Sequence, residues 1–202
     1  MRIFITGVSC VGKTTIGSMV ALRLGCSFFD LDQEIEKFFA TSIERLLNRF
    51  LTIHSFRNEA AKALIDVLGR HDSRDCVVAL PPSGLMGGYL RVVKKAGGTI
   101  VVLMDSPESI LNRITFYDID SHPIQKRISE REKGLYLREI KKDIIYYRKS
   151  YDRSDFKVDI SGLLPERAAE RVTQSLEIAF RSHVGDRKDG KESHSGRPAA
   201  MD

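Results

Sequence analysis

The sequence predicts an α/β fold in which a parallel sheet carries helices on both faces. Three observations lead there. Short apolar, β-like runs alternate with helical patterns along the chain. The first such junction is a glycine-rich loop. The chain's 202 residues, 42% hydrophobic and 29% charged, suit one soluble domain whose core needs no disulfide or metal.

Taken in order, residues 2–6 form a short buried strand stopped by Gly7. Residues 14–24 form a helix, with Ile16, Met19, Val20 and Leu24 recurring on one face. Residues 27–31 are strand-like. Residues 34–50 are helical with a break near Thr41, where Ser42 caps a second helix. A helix over 56–68 precedes a strand over 76–80, which Pro81 and Pro82 close abruptly. Residues 85–96 are helical despite Gly87 and Gly88, and the β-branched run 99–104 is a strand. Pro107 suits the first turn of a helix over 107–116. A long helix over 135–151, a strand over 156–160 and a helix over 165–180 complete the domain, placed at residues 1–181. Residues 182–202 turn polar, carry four charges of each sign and are expected to be a disordered tail.

Several classes drop out. No run of 18 apolar residues spans a membrane, and the N-terminus lacks the pattern of a secretory signal. Cys10, Cys26 and Cys76 are widely spaced and odd in number, which fits neither a disulfide framework nor a metal motif and points to the cytoplasm. Without tryptophan and with few other aromatics, nucleic acid is an unsuitable partner, and the chain is expected to be a monomer. The net charge of +5 is concentrated: residues 122–149 hold nine Lys or Arg against four Asp or Glu. That segment suits a polyanion such as phosphates, or is simply a solvated basic face.

The strongest signal is Gly7-Val8-Ser9-Cys10-Val11-Gly12-Lys13-Thr14, a complete G-x-x-x-x-G-K-[ST]. Glycine backbone angles let the N–H groups of Ser9, Cys10, Val11 and Gly12 turn inward on a phosphate, and Thr15 follows in the helix N-terminus that favours anions. Lys13 would reach the β- and γ-phosphates, and the Thr14 hydroxyl would ligate Mg²⁺. Such a pattern arises by chance in under about 1% of chains this long. The implied ligands are ATP and Mg²⁺. No N-K-x-D base-reading motif is present, as a GTPase would need, and the strand ending in Pro81-Pro82 lacks a motor ATPase's terminal acid. A small-molecule kinase with a basic lid, at about residues 115–134, fits best.

Four further elements follow in order: Asp30-Leu31-Asp32, Phe56-Arg57-Asn58-Glu59, Thr41-Ser42-Ile43-Glu44 between them, and Arg148-Lys149-Ser150-Tyr151 before the last strand. Over residues 1–180 this series resembles shikimate kinase. The resemblance implies an α/β/α domain of the nucleoside-monophosphate-kinase type, with five parallel strands in the order 2-3-1-4-5. It also implies transfer of the ATP γ-phosphate to a hydroxyl of shikimate, in aromatic amino-acid biosynthesis. On that basis Asp30 holds Mg²⁺ through water and Asp32 is the base for the attacking hydroxyl. Both would then lie on one side of a strand. Arg57 and Arg148 grip the substrate carboxylate, and Arg113 lies near adenine. The residues by themselves also fit plainer roles: a capping pair for Asp30 and Asp32, a surface pair of Arg57 with Glu59 or Glu36, and a solvated position for Arg148.

The chain departs from the family twice. Where the family has a run of glycines after the third strand, this chain has Pro81-Pro82-Ser83-Gly84, leaving Ser83 and Gly84 to supply backbone donors against the substrate. Where the family's lid has R-P-L-L, this chain has His122-Pro123-Ile124-Gln125, leaving Lys126, Arg127 or Arg131 to replace the arginine. The other readings are a kinase for another small acceptor, such as gluconate or a nucleotide, and a nucleotide-binding regulator without catalysis.

Overall fold

The structure is a computed structural model that describes residues 1–185; residues 186–202, most of the stretch expected as a tail, lie outside the described residues. Five parallel strands form the sheet: β1 (Arg2–Thr6), β2 (Ser27–Asp30), β3 (Cys76–Ala79), β4 (Thr99–Met104) and β7 (Phe156–Asp159). Two short strands, β5 (Phe116–Tyr117) and β6 (Pro123–Ile124), pair separately and antiparallel as a hairpin. The main sheet runs β2-β3-β1-β4-β7, so its five strands follow the expected order 2-3-1-4-5. Ile3 sits between Val77 and Thr99, which makes β1 the centre of the sheet.

Right-handed crossovers decide which face each helix covers. The chain leaves β1 toward β2 and returns from β2 toward β3, so α1 (Lys13–Leu24) and α4 (Ile53–Gly69) fall on opposite faces. The final helix, α8 (Pro165–Gly185), packs beside α1, and α5 (Gly87–Ala96) packs beside α4. The central strands are therefore enclosed on both sides: Ile3, Phe4, Ile5, Val77, Val78 and Val102 are fully buried. Each large side chain of that kind stabilises the fold by about 1.5–3 kcal/mol.

Between β2 and α4 come α2 (Leu31–Phe39) and α3 (Ile43–Leu47), separated at Ala40 with φ +50°; the Ser42 side chain caps α3 by accepting from the Arg45 N–H. Three helix boundaries differ from expectation by five residues; one is the end of α8, which runs on to Gly185 and takes in the first residues of the expected tail. The helix expected over 107–116 starts where expected, capped by Ser106, but is only α6 (Pro107–Leu111), because the chain turns off at Asn112 toward β-branched Ile114 and Thr115. The helix expected from 135 is α7 (Glu130–Tyr151), which begins earlier because Ser129 and Glu132 form a reciprocal capping box. Its first turns thus occupy the end of the segment assigned to the lid. Among the described residues, no helix is long and apolar enough to cross a membrane.

The strand order reverses around β1. The loops after β1, β2, β3 and β4 therefore open onto one crevice, where parallel sheets bind ligands.

Candidate functional site

The glycine-rich loop fills the turn from β1 to α1. Gly7 has φ +150°, and a Cβ there would lie 2.6 Å from the Leu103 carbonyl oxygen, so only glycine lets the loop cross β4 this closely. Cys10 takes a left-handed φ of +59°, and Gly12, at φ +105°, starts α1 without a side-chain cap. The N–H groups of that first turn are left for a ligand. Lys13 folds back over the loop, its Nζ donating to the carbonyls of Gly7 (3.2 Å) and Val8 (3.0 Å). Burial lowers its pKa, against the attraction of Asp32 and Asp30. A phosphate would supply the anion this cation lacks.

Asp30 and Asp32 occupy different elements, where the D-x-D spacing predicted one side of a strand. Asp30 ends β2 and caps α2, its Oδ1 accepting from the Asp32 N–H at 3.0 Å, while Asp32 lies in the first turn of the helix. Capping and site geometry coincide: the other Asp30 oxygen accepts the Thr14 hydroxyl at 2.5 Å. A hydroxyl and a fixed carboxylate are hard oxygen donors, which suits Mg²⁺ completed by phosphate oxygens and water. Asp32 is enclosed beside Asp30, Lys13 and Glu36, and burial, reinforced by Asp30, raises its pKa to about 6. Such a carboxylate is ionised near neutrality yet basic enough to take a proton.

Arg57, in the first turns of α4, comes to the same recess. Glu59 pairs with Lys62, and Glu36 accepts from the Ile43 N–H and the Ser121 hydroxyl, so neither takes up Arg57. The Arg57 Nε is buried with no hydrogen-bond partner. The Tyr89 hydroxyl, on a side chain only 1% exposed, is the other such atom among the described residues. Both Asp32 and Arg57 act on the Tyr89 phenol electrostatically, and burial pushes its pKa well up. Tyr147 of α7 also faces Arg57, shares a side-chain hydrogen bond with it, and is likewise raised, chiefly by burial.

Arg148 is placed elsewhere. One residue past Tyr147, about 100° round the helix, it is exposed and lines a cavity of about 740 Å³ with Val8, Met104, Asp105, Lys141 and Ile144. Arg57 is not among the residues that line this cavity. Arg113 lies just beyond α6, donates from Nε to the Cys10 carbonyl at 3.3 Å and pairs with the buried Asp105 carboxylate, tying the phosphate loop to the end of β4.

At the proline turn, the Gly84 N–H is spent on the Pro81 carbonyl (2.8 Å), whereas the Ser83 N–H takes no part in the turn's hydrogen bonds. Thr6 and Tyr151 donate to the Pro81 and Pro82 carbonyls and hold the turn in place. In the lid, His122 is exposed and stays within the hairpin turn, its Nδ1 3.4 Å from Asp118. Lys126 is held inside the lid: it donates to the Tyr136 hydroxyl (3.0 Å), pairs with Glu132 (3.2 Å) and lies over the Phe116 ring. Arg127 and Arg131 are exposed and form no ion pair among the described residues.

Tyr89, Tyr147 and the anchoring Asp105 were not singled out from the sequence. Two signals were available for Tyr89: its spacing from Val93 on the inner face of α5, and a hydroxyl on an otherwise apolar face that requires a partner.

Residues 9–177 match the family model for shikimate kinase. A shikimate kinase from Chlorobium limicola is 36% identical over 87% of this chain and 76% of its own length. The crystal structure of shikimate kinase from Aquifex aeolicus, 29% identical, superposes with a TM-score of 0.65 over 88% of this chain and 96% of that one. The Acinetobacter baumannii shikimate kinase in complex with shikimate, 21% identical, shares the fold with a TM-score of 0.63 over 88% of this chain and 93% of its own.

Proposed function

This chain belongs to the shikimate kinase family and is an ATP-dependent kinase, and from that premise we propose that it phosphorylates a ring hydroxyl of shikimate, giving 3-phosphoshikimate and ADP. One observation carries the reading: a phosphate-seeking lysine interacts with a carboxylate of pKa about 6, and that carboxylate and a guanidinium with a buried, unpartnered nitrogen act on the same phenol, Tyr89. An acceptor with both a hydroxyl and a carboxylate matches that set.

The loop N–H groups and Lys13 hold the triphosphate, Lys13 exchanging its contacts with the Gly7 and Val8 carbonyls for phosphate oxygens. Arg57 takes the acceptor carboxylate through its fork. Asp32 accepts the proton of the acceptor hydroxyl as that oxygen bonds to the γ-phosphorus. The bond from the γ-phosphorus to the bridging oxygen breaks, and its electron pair leaves on ADP. Thr14 and Asp30 would hold Mg²⁺, which supplies charge neutralisation on the phosphates. The Ser83 N–H is the donor available at the proline turn, and Arg127 and Arg131 are the lid cations available to the transferring group.

An ADP-release assay with shikimate, gluconate and nucleoside monophosphates tests the reading. Turnover with shikimate alone is the expected result. Turnover with another acceptor and none with shikimate would overturn it.

A further inference from the structure

We propose that Tyr89 is an acceptor-binding residue whose hydroxyl donates to the acceptor carboxylate beside Arg57, so that a phenol serves alongside one guanidinium. This rests on the acceptor being a hydroxy acid, as proposed above.

The geometry begins with the helix that carries Tyr89. The first residues of α5 press onto α4 at Arg57 itself. A Cβ on Gly88 would lie 2.7 Å from the Arg57 carbonyl oxygen and 2.9 Å from the Asn58 Cα, so the two backbones meet there as only glycine permits. Gly87, at φ +52°, faces the Arg57 side chain, and Arg91 donates to the Asn58 side-chain oxygen at 2.8 Å. The contact therefore fixes the start of α5, from which Tyr89 projects, against the residue that takes the carboxylate.

The second observation is the unmet hydrogen bonding. A buried polar atom without a partner is costly and uncommon. Among the described residues there are two, the Tyr89 hydroxyl and the Arg57 Nε, and the Tyr89 phenol interacts electrostatically with both Arg57 and Asp32. Two donors left open in one recess call for an acceptor atom from outside the chain. A carboxylate offers two oxygens with several lone pairs and can satisfy both at once. The Tyr89 phenol keeps its proton at neutral pH and so acts only as a donor toward an anion. Arg148, about 100° round α7 from Tyr147, lines the other cavity, and the third group facing Arg57 is again a phenol, Tyr147.

The test compares wild type with Tyr89→Phe on two acceptors, shikimate and its carboxyl-reduced alcohol. On shikimate the variant should lose about tenfold or more in kcat/KM, mainly through KM, as for a lost hydrogen bond to a charged group. On the alcohol the loss should shrink to within about twofold, which a general distortion of the site would not produce. The KM for ATP should be unchanged, and the melting temperature without ligands unchanged or higher, because the variant removes an unpartnered hydroxyl. An equal loss on both acceptors, no loss on shikimate, or a clear drop in melting temperature would each overturn the proposal. If wild type itself fails to phosphorylate shikimate, the shikimate reading falls and this inference, as stated for shikimate, falls with it. If wild type works and Tyr89→Phe equals it, only the role of Tyr89 falls.

Discussion

The phosphate loop and the acceptor wall face each other across Asp32, and they are built in contrasting ways. The loop is one stretch of eight residues that binds through backbone N–H groups, shaped by Gly7, Cys10 and Gly12 at positive φ. The wall gathers Asp32 from α2, Arg57 from α4, Tyr89 from α5 and Tyr147 from α7, and it works through side chains. A backbone cradle depends on backbone angles, so a side-chain change at the exposed Ser9 removes no donor. A wall of side chains loses or gains a function with each substitution. The chain's departures from its family fall accordingly: the loop motif is complete, while Pro81-Pro82 and His122 lie on the acceptor and lid side.

Asp32 stands where the two regions meet, and replacing it should have the largest effect. Asp32→Asn is expected to lower kcat about a hundredfold to ten-thousandfold, the usual worth of a positioned base. Mg·ATP affinity, measured by calorimetry, should change little if the cradle is independent of the wall. In wild type, kcat/KM should fall as the pH drops through about 6, where Asp32 takes up a proton. The sign for stability is opposite. A carboxylate whose folded pKa is raised favours the folded state at low pH, and that favour is lost as pH rises through about 6. Asp32→Asn should therefore not lower the melting temperature at pH 8. Loss of ATP binding in the variant would show that the two regions are a single unit.

The next largest contrast lies within the wall itself. Arg57→Ala should cost about tenfold to a hundredfold in kcat/KM with shikimate, through KM, because it removes a charged donor to the carboxylate. Arg148→Ala should stay within about threefold, since Arg148 lines a separate cavity. Equal losses for the two variants would mean that α7 turns when the acceptor binds, bringing Arg148 round to the carboxylate.

The same contrast explains what was legible in the sequence. The α/β alternation and the cradle are local patterns, and both stand in the structure where the pattern placed them. The break at Thr41 and the cap at Ser42 were legible for the same reason. Asp30-Leu31-Asp32 was only half legible: residue spacing favours a strand side, but the Asp30 carboxylate caps α2 and carries Asp32 into a helix. Tyr89 was hidden because its meaning depends on α5 meeting α4, a contact between residues far apart in sequence. Which face of α7 meets Arg57 was hidden likewise, because Tyr147 and Arg148 are neighbours in the chain and differ only by a rotation.

The smallest effect is expected where the lid reaches the wall. The lid turn is fastened to α3 by two contacts: Arg45 Nε pairs with Asp120 at 2.6 Å, and the Ser42 hydroxyl donates to the Ile119 carbonyl at 2.5 Å. Glu36, beside Asp32, takes the Ser121 hydroxyl from the same turn, so the base's surroundings and the lid share a hydrogen bond. Arg45 and Asp120 are about half exposed, and exposed pairs contribute little and are screened by salt. Arg45→Ala should therefore change kcat/KM only about two- to threefold. The difference from wild type should fade as ionic strength rises from 0.05 to about 0.5 M, where screening has already removed the pair in both proteins. A loss that persisted in high salt would mean that Arg45 does more than fasten the lid, and that the lid belongs to the acceptor wall as fully as Arg57 does.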